Sequence, residues 1–113
     1  MSLTLRTDLG CTEAVIDSDG GLSRFYQIAS ILTDQFQVSF TGKEDDFDNI
    51  NWNFSLGKSS LTLQYSIYNG ISLFPTREQH ARKKENKAVV ELASVLEGKL
   101  LNLKMQKQHP LSP

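Results

Sequence analysis

The chain has 113 residues, one cysteine and a formal net charge of -1, with 39% apolar and 22% charged residues. That length suits one domain with a modest core, and the composition is that of a globular chain rather than a disordered one. The near-neutral balance argues against nucleic acid or an anionic membrane as a general partner, and a single cysteine excludes an internal disulfide or a multi-cysteine metal site.

The opening MSLTLRTDLG lacks a basic region followed by a long apolar run, so no secretion signal is expected. No segment approaches the roughly twenty apolar residues that span a bilayer. The expected location is the cytoplasm. Leu3 and Leu5 alternate with Thr4 and Arg6, and Ala14, Val15 and Ile16 follow, which predicts two short strands around DLGC. Asp17 to Gly21, DSDGG, supplies capping oxygens and a bend. Leu22, Phe25, Ala29, Leu32 and Phe36 then recur at helical spacing, with Tyr26 and Ile28 flanking the stripe.

From Phe36 the period changes to two, with Phe36, Val38 and Phe40 on one side and Gln37, Ser39 and Thr41 on the other, as far as Gly42. KEDDFDN reads as a loop. Trp52, Phe54 and Leu56 alternate with Asn51, Asn53 and Ser55, and Leu61, Leu63, Tyr65 and Ile67 alternate with Thr62, Gln64 and Ser66. Gly57 and Lys58 form the turn between these strands. Asn69-Gly70 is a strong hairpin signal leading to the short strand ISLF, which Pro75 ends. Ala88, Val89, Leu92, Ala93, Leu96, Leu100 and Leu103 predict a second, long helix. The expected fold is a single α+β domain over residues 1–101, followed by a flexible tail at 102–113. It is a two-layer sandwich in which two helices pack on one face of an antiparallel sheet of about four to six strands.

Several motifs invite a chemical reading. Gly57, Lys58 and Ser59 spell the end of a phosphate-binding loop, but position 52 is Trp where its first glycine is required, and the residues behind it read as a strand. Glu44, Asp45, Asp46 and Asp48 suggest calcium, yet a loop starting at Glu44 has Asn49 where glycine is needed and Ser55 where the bidentate acid is needed. A looser metal site using these four acids and His80 is the foothold for an alternative reading as a metal-dependent hydrolase. Acidic loops are more often simply solvated.

The run REQHARKKENK carries Arg77, His80, Arg82, Lys83, Lys84 and Lys87. All but Arg82 fall away from the Leu92 and Leu96 stripe on a helical wheel, so Arg77, His80, Lys83, Lys84 and Lys87 form a candidate surface for an acidic partner. Used on phosphates, the same run gives a second alternative, a nucleic-acid accessory protein. The third candidate is the face of the sheet opposite the helices. Gln37, Ser39, Asn51, Asn53, Thr62, Gln64 and Ser66, with Thr41, Ser55 and Tyr68, are all uncharged in a chain rich in Lys, Asp and Glu. Exposed sheet faces ordinarily include charges, so an uncharged hydrogen-bonding face suits being covered, by a protein partner or by a second copy in a homodimer. Trp52, Phe40, Phe54 and Tyr65 sit at packing positions. Neither His80 nor His109 completes a catalytic triad, and no cofactor is called for.

The block INWNFSLGKSSLTLQYSIYNGISLFP, residues 50–75, resembles the central hairpins of small bacterial domains of uncharacterised function. The resemblance is one of hydrophobics and turns, so it implies the fold and a bacterial source and carries no catalytic residue. The reading that follows is a non-catalytic protein-binding domain of adaptor, inhibitor or immunity type.

Overall fold

The computed structural model describes residues 3–8, 10–46, 48–76 and 83–107. Its elements are β1 (Thr4–Asp8), β2 (Cys11–Asp17), α1 (Leu22–Phe36), β3 (Phe40–Asp45), β4 (Asn49–Leu56), β5 (Ser59–Ser66), β6 (Gly70–Pro75) and α2 (Lys83–Lys107). The fold is α+β, as expected. All six strands belong to one sheet, in the order β1-β2-β6-β5-β4-β3, and every neighbouring pair is antiparallel. No helix among the described residues is long and apolar enough to cross a membrane.

The strand order follows from one long connection among short ones. Strands β3 to β6 form a meander of consecutive hairpins, whereas β2 passes through α1 to reach β3 at the far edge of the sheet. The free side of β6 then pairs with β2, so β6 becomes a central strand, buried from Gly70 to Pro75. Ala14 and Ile16 of β2, Leu61 and Leu63 of β5, and Ile71 and Leu73 of β6 form one buried cluster. Phe25, Ile28 and Leu32 of α1 and Val89, Leu92, Ala93, Leu96 and Leu100 of α2 belong to it too. Two-residue alternation in the strands and three-to-four spacing in the helices place these groups together.

Local departures from expectation have identifiable causes. Helix α1 does not give way to a strand at Phe36, because Gln37 adopts the left-handed conformation at φ 57° and both its N–H and that of Val38 reach the Leu32 carbonyl. This ends the helix as a left-handed cap with buried Val38 beneath it. At its start the cap residue is Gly21, which offers no side-chain oxygen, so DSDGG does not cap the helix. Asp17 instead accepts the Asp19 N–H at 3.1 Å and pairs with Arg24 at 3.5 Å.

Strand β3 continues past Gly42 to Asp45, so half of the expected acidic loop is strand. Main-chain pairing with β4 overrides the polar composition there, and on an edge strand charge costs little. The β5–β6 turn holds three residues, since Ser66 pairs with Gly70, and Ile67 is therefore exposed at the tip rather than buried in the alternation. Helix α2 runs on to Lys107.

Candidate functional site

The face of the sheet opposite Leu61, Leu63, Ile71 and Leu73 can be read row by row from the pairing. One row runs Glu44, Asn51, Gln64, Ser72, Val15, Thr4 from edge to edge. A second runs Gly42, Asn53, Thr62, Phe74, and a third Asn49, Ser66, Gly70. Successive partners on one face lie close enough for side chains to bond across the strands. Gln64 Nε2 donates to Asn51 Oδ1 at 2.8 Å, and Thr62 Oγ1 donates to Asn53 Oδ1 at 2.7 Å. Thr62 also meets the Thr76 hydroxyl at 3.1 Å. Ser66 Oγ accepts the Tyr68 N–H at 3.1 Å and so ties the face to the hairpin tip.

These residues enclose a shallow depression of about 250 Å³ lined by Glu44, Asn51, Asn53, Thr62, Gln64, Phe74 and Thr76. Its hydrogen-bonding capacity follows from the network. An amide carries two N–H donors and an acceptor, and a carboxylate accepts only. Among the described residues, the bonds above engage the oxygens of Asn51 and Asn53 and the nitrogen of Gln64. The complementary amide atoms remain for a ligand: two NH₂ groups and one carbonyl, with the Glu44 carboxylate at the rim. Gly42 allows the Asn53 side chain to sit over it, since a Cβ there would lie 3.1 Å from Asn53 Nδ2.

Glu44, Val15 and Phe74 are among the members of this face that sequence reasoning did not place on it. Glu44 was read as loop, and Val15 and Phe74 only as residues of short strands. All three follow from the register, because Glu44 opposes Asn51, Val15 opposes Ser72 and Phe74 opposes Thr62. The face is therefore not uncharged: Glu44 stands at its β3 edge, and towards β1 and β2, where Val15 is apolar, Arg6 and Glu13 share this face by alternation and form an ion pair at 2.9 Å. Ser72, only 1% exposed between Gln64 and Val15, has no hydrogen-bond partner for its hydroxyl among the described residues. Asn51, Asn53, Thr62, Gln64 and Ser66 share this face. Gln37 and Ser39 are not, since one caps α1 and the other precedes β3.

The remaining candidates are dispersed. Glu44 and Asp45, adjacent on a strand, point to opposite faces, and Asp45 instead accepts the Trp52 indole N–H at 3.4 Å. Asp46 and Asp48 are used through their backbones, Asp46 N–H donating to Asn49 and the Asp48 carbonyl accepting from Ile67. Among the described residues no three His, Cys, Asp or Glu side chains gather where an ion could sit. Arg77, His80 and Arg82 lie outside the described residues. Lys83 and Lys84 are exposed at the start of α2, and Lys87 stands 3.8 Å from Glu91 one turn on.

Trp52 is the hub of an aromatic cluster, with ring centroids 5.0 Å from Phe25, 5.7 Å from Tyr26 and 5.1 Å from Phe40. Lys43 Nζ lies 4.3 Å from the Trp52 ring centroid and covers its outer side. Cys11 is buried. Gly57, at φ 63°, and Lys58 form the tight turn joining Leu56 to Ser59, and the residues that follow are strand.

No protein-family model, curated protein or solved structure matches the chain.

Proposed function

We propose that the protein is a non-catalytic binding domain acting in the cytoplasm, and that its working surface is the polar sheet face formed by β3 to β6. In this reading the two helices form the second layer against the apolar face, and the polar face receives a segment of a protein partner. The observation that carries the proposal is the convergence of Asn51, Asn53, Gln64 and Glu44 on one depression, with amide donors and acceptors left over from their mutual bonds. Such groups suit a partner's main-chain amides and polar side chains, which present the same pairing of donors and acceptors. The exposed Lys83 and Lys84 supply a second contact, to an acidic part of that partner.

The test is affinity capture from the native host's lysate with wild type, Gln64→Arg and the Lys83→Glu, Lys84→Glu double variant, read by mass spectrometry. A protein retained by wild type should be lost by Gln64→Arg and reduced several-fold by the double variant. Equal retention by all three forms would remove the polar face from the interaction.

A further inference from the structure

Among the described residues the sheet has two open edges, at β1 and β3, and they are built differently. At β3 the pairing shifts register between Phe40 and Gly42, and Lys43, Glu44 and Asp45 follow in succession. Bulges and charge are the devices by which exposed edges avoid pairing with other chains. At β1 there is no bulge, and the charge is limited to Arg6 and Asp8. Thr4 to Asp8 pair with β2 over five residues without a shift, the strand has no lysine or proline, and Arg6 is already engaged by Glu13 at 2.9 Å. Leu5 pairs with Ala14 and so lies on the core side of the sheet, yet it is 47% exposed.

Helix α2 flanks this edge. Asn86 bonds the Gly10 carbonyl at 2.7 Å and the Thr12 N–H at 2.9 Å, and Glu97 Oε2 accepts the Leu3 N–H at 2.8 Å. The helix therefore runs antiparallel to β1. Asn86, Val90, Glu97 and Leu101 share one side of it by helical spacing, and Leu101 is half-exposed.

We propose that β1 is an interaction edge for a second copy of this chain, pairing antiparallel about a two-fold axis at Leu5 to make a continuous twelve-stranded sheet. Such an axis, perpendicular to the sheet, keeps core-side residues opposite core-side residues. Centring it on Arg6 sets two guanidinium groups face to face, which is unfavourable between directly opposed residues. A centre at Thr7 leaves Leu5 beyond the paired residues. When Leu5 is the centre, it meets Leu5 of the second copy, and each Arg6 stands opposite an uncharged Thr4.

The spacing agrees with this choice. Helix α2 packs mainly on β2, so the two copies of α2 are separated by three strand intervals, about 14 Å. Direct helix packing needs about 8 to 10 Å. The remaining gap lies over the two Leu5 side chains, which fill it.

Sedimentation velocity across a concentration series should show wild type passing from the 12.7 kDa chain to twice that mass. Leu5→Lys, at a half-exposed site, should keep the wild-type circular dichroism and weaken association at least tenfold. Register is read independently with single cysteines. Paired antiparallel residues have Cα atoms about 4.5 to 5.5 Å apart, inside the range a disulfide spans. Leu5→Cys should therefore cross-link on mild oxidation, and Arg6→Cys and Thr7→Cys should do so several-fold less. Wild type, with Cys11 buried, is the blank. The inference does not rest on the polar-face reading, and Gln64→Arg should leave the dimer intact. It is overturned if wild type stays monomeric at every concentration, if Gln64→Arg dissociates the dimer and Leu5→Lys does not, or if cross-linking is strongest at Arg6→Cys or Thr7→Cys.

Discussion

Gly70 stands at φ 76°, and a Cβ built there would run into the Asp17 carbonyl oxygen and lie 2.6 Å from the Ser18 carbonyl group. Two demands meet at one position: a left-handed backbone and a close approach of main chain to main chain. Gly70→Ala should lower stability by about 2 to 5 kcal/mol, combining left-handed strain with overpacking against backbone that cannot rotate away. Chemical denaturation monitored by Trp52 fluorescence would measure it, and a loss below about 1 kcal/mol would mean the turn relaxes instead. The turn was legible in Asn69-Gly70, but the contact with Asp17 was not, because it exists only once β2 lies beside β6. Glu44 shows the same limit. Its charge reads as loop, while its place beside Asn51 is set by a partner strand.

At the scale of the element, the junction of α1 and β3 is where local pattern and structure part. Phe36, Val38 and Phe40 alternate as a strand would, yet Phe36 is the last helical residue and Phe40 the first of the strand. The alternation is genuine, but it is interrupted by Gln37 in a conformation that a side chain disfavours by about 1 to 2 kcal/mol. Nothing in the residue type announces it, since glycine is the usual occupant of such caps. Gln37→Gly should therefore stabilise the protein by about 0.5 to 1 kcal/mol, after the added freedom of glycine in the unfolded chain is offset. A rise in the thermal midpoint would bear this out, and a fall would show that the Gln37 side chain has a role the cap geometry does not explain. By contrast, the stripe from Val89 to Leu100 was fully readable, because one helix buries one side at its own period.

For the whole molecule, an α+β chain with an antiparallel sheet followed from alternation, turns and two helical stretches, whereas the strand order did not. Order is decided by which edge of β6 meets β2, and no local signal encodes a pairing between Ala14 and Leu73. The polar face was legible as a set of uncharged alternating residues; the depression was not, since its rim needs β3 beside β4. Asn86 then joins the two ends of the chain, bonding the β1–β2 turn through both its amide nitrogen and its oxygen. Asn86→Ala should cost about 1 to 3 kcal/mol, because the Thr12 N–H and Gly10 carbonyl lose their partner together. Hydrogen exchange at Thr12 should accelerate accordingly, and unchanged protection there would show that the amide is held from elsewhere.

The pairing of β2 with β6 also sets an order of events during synthesis. The β1–β2 hairpin leaves the ribosome early, but its inner edge has no neighbour until the meander from β3 to β6 has been made. Closing that long loop carries an entropic cost that adjacent hairpins avoid, so the meander is the natural early folding unit and the hairpin docks late. Until then, two bare edges that native pairing will hide, those of β2 and β6, are presented to other nascent chains.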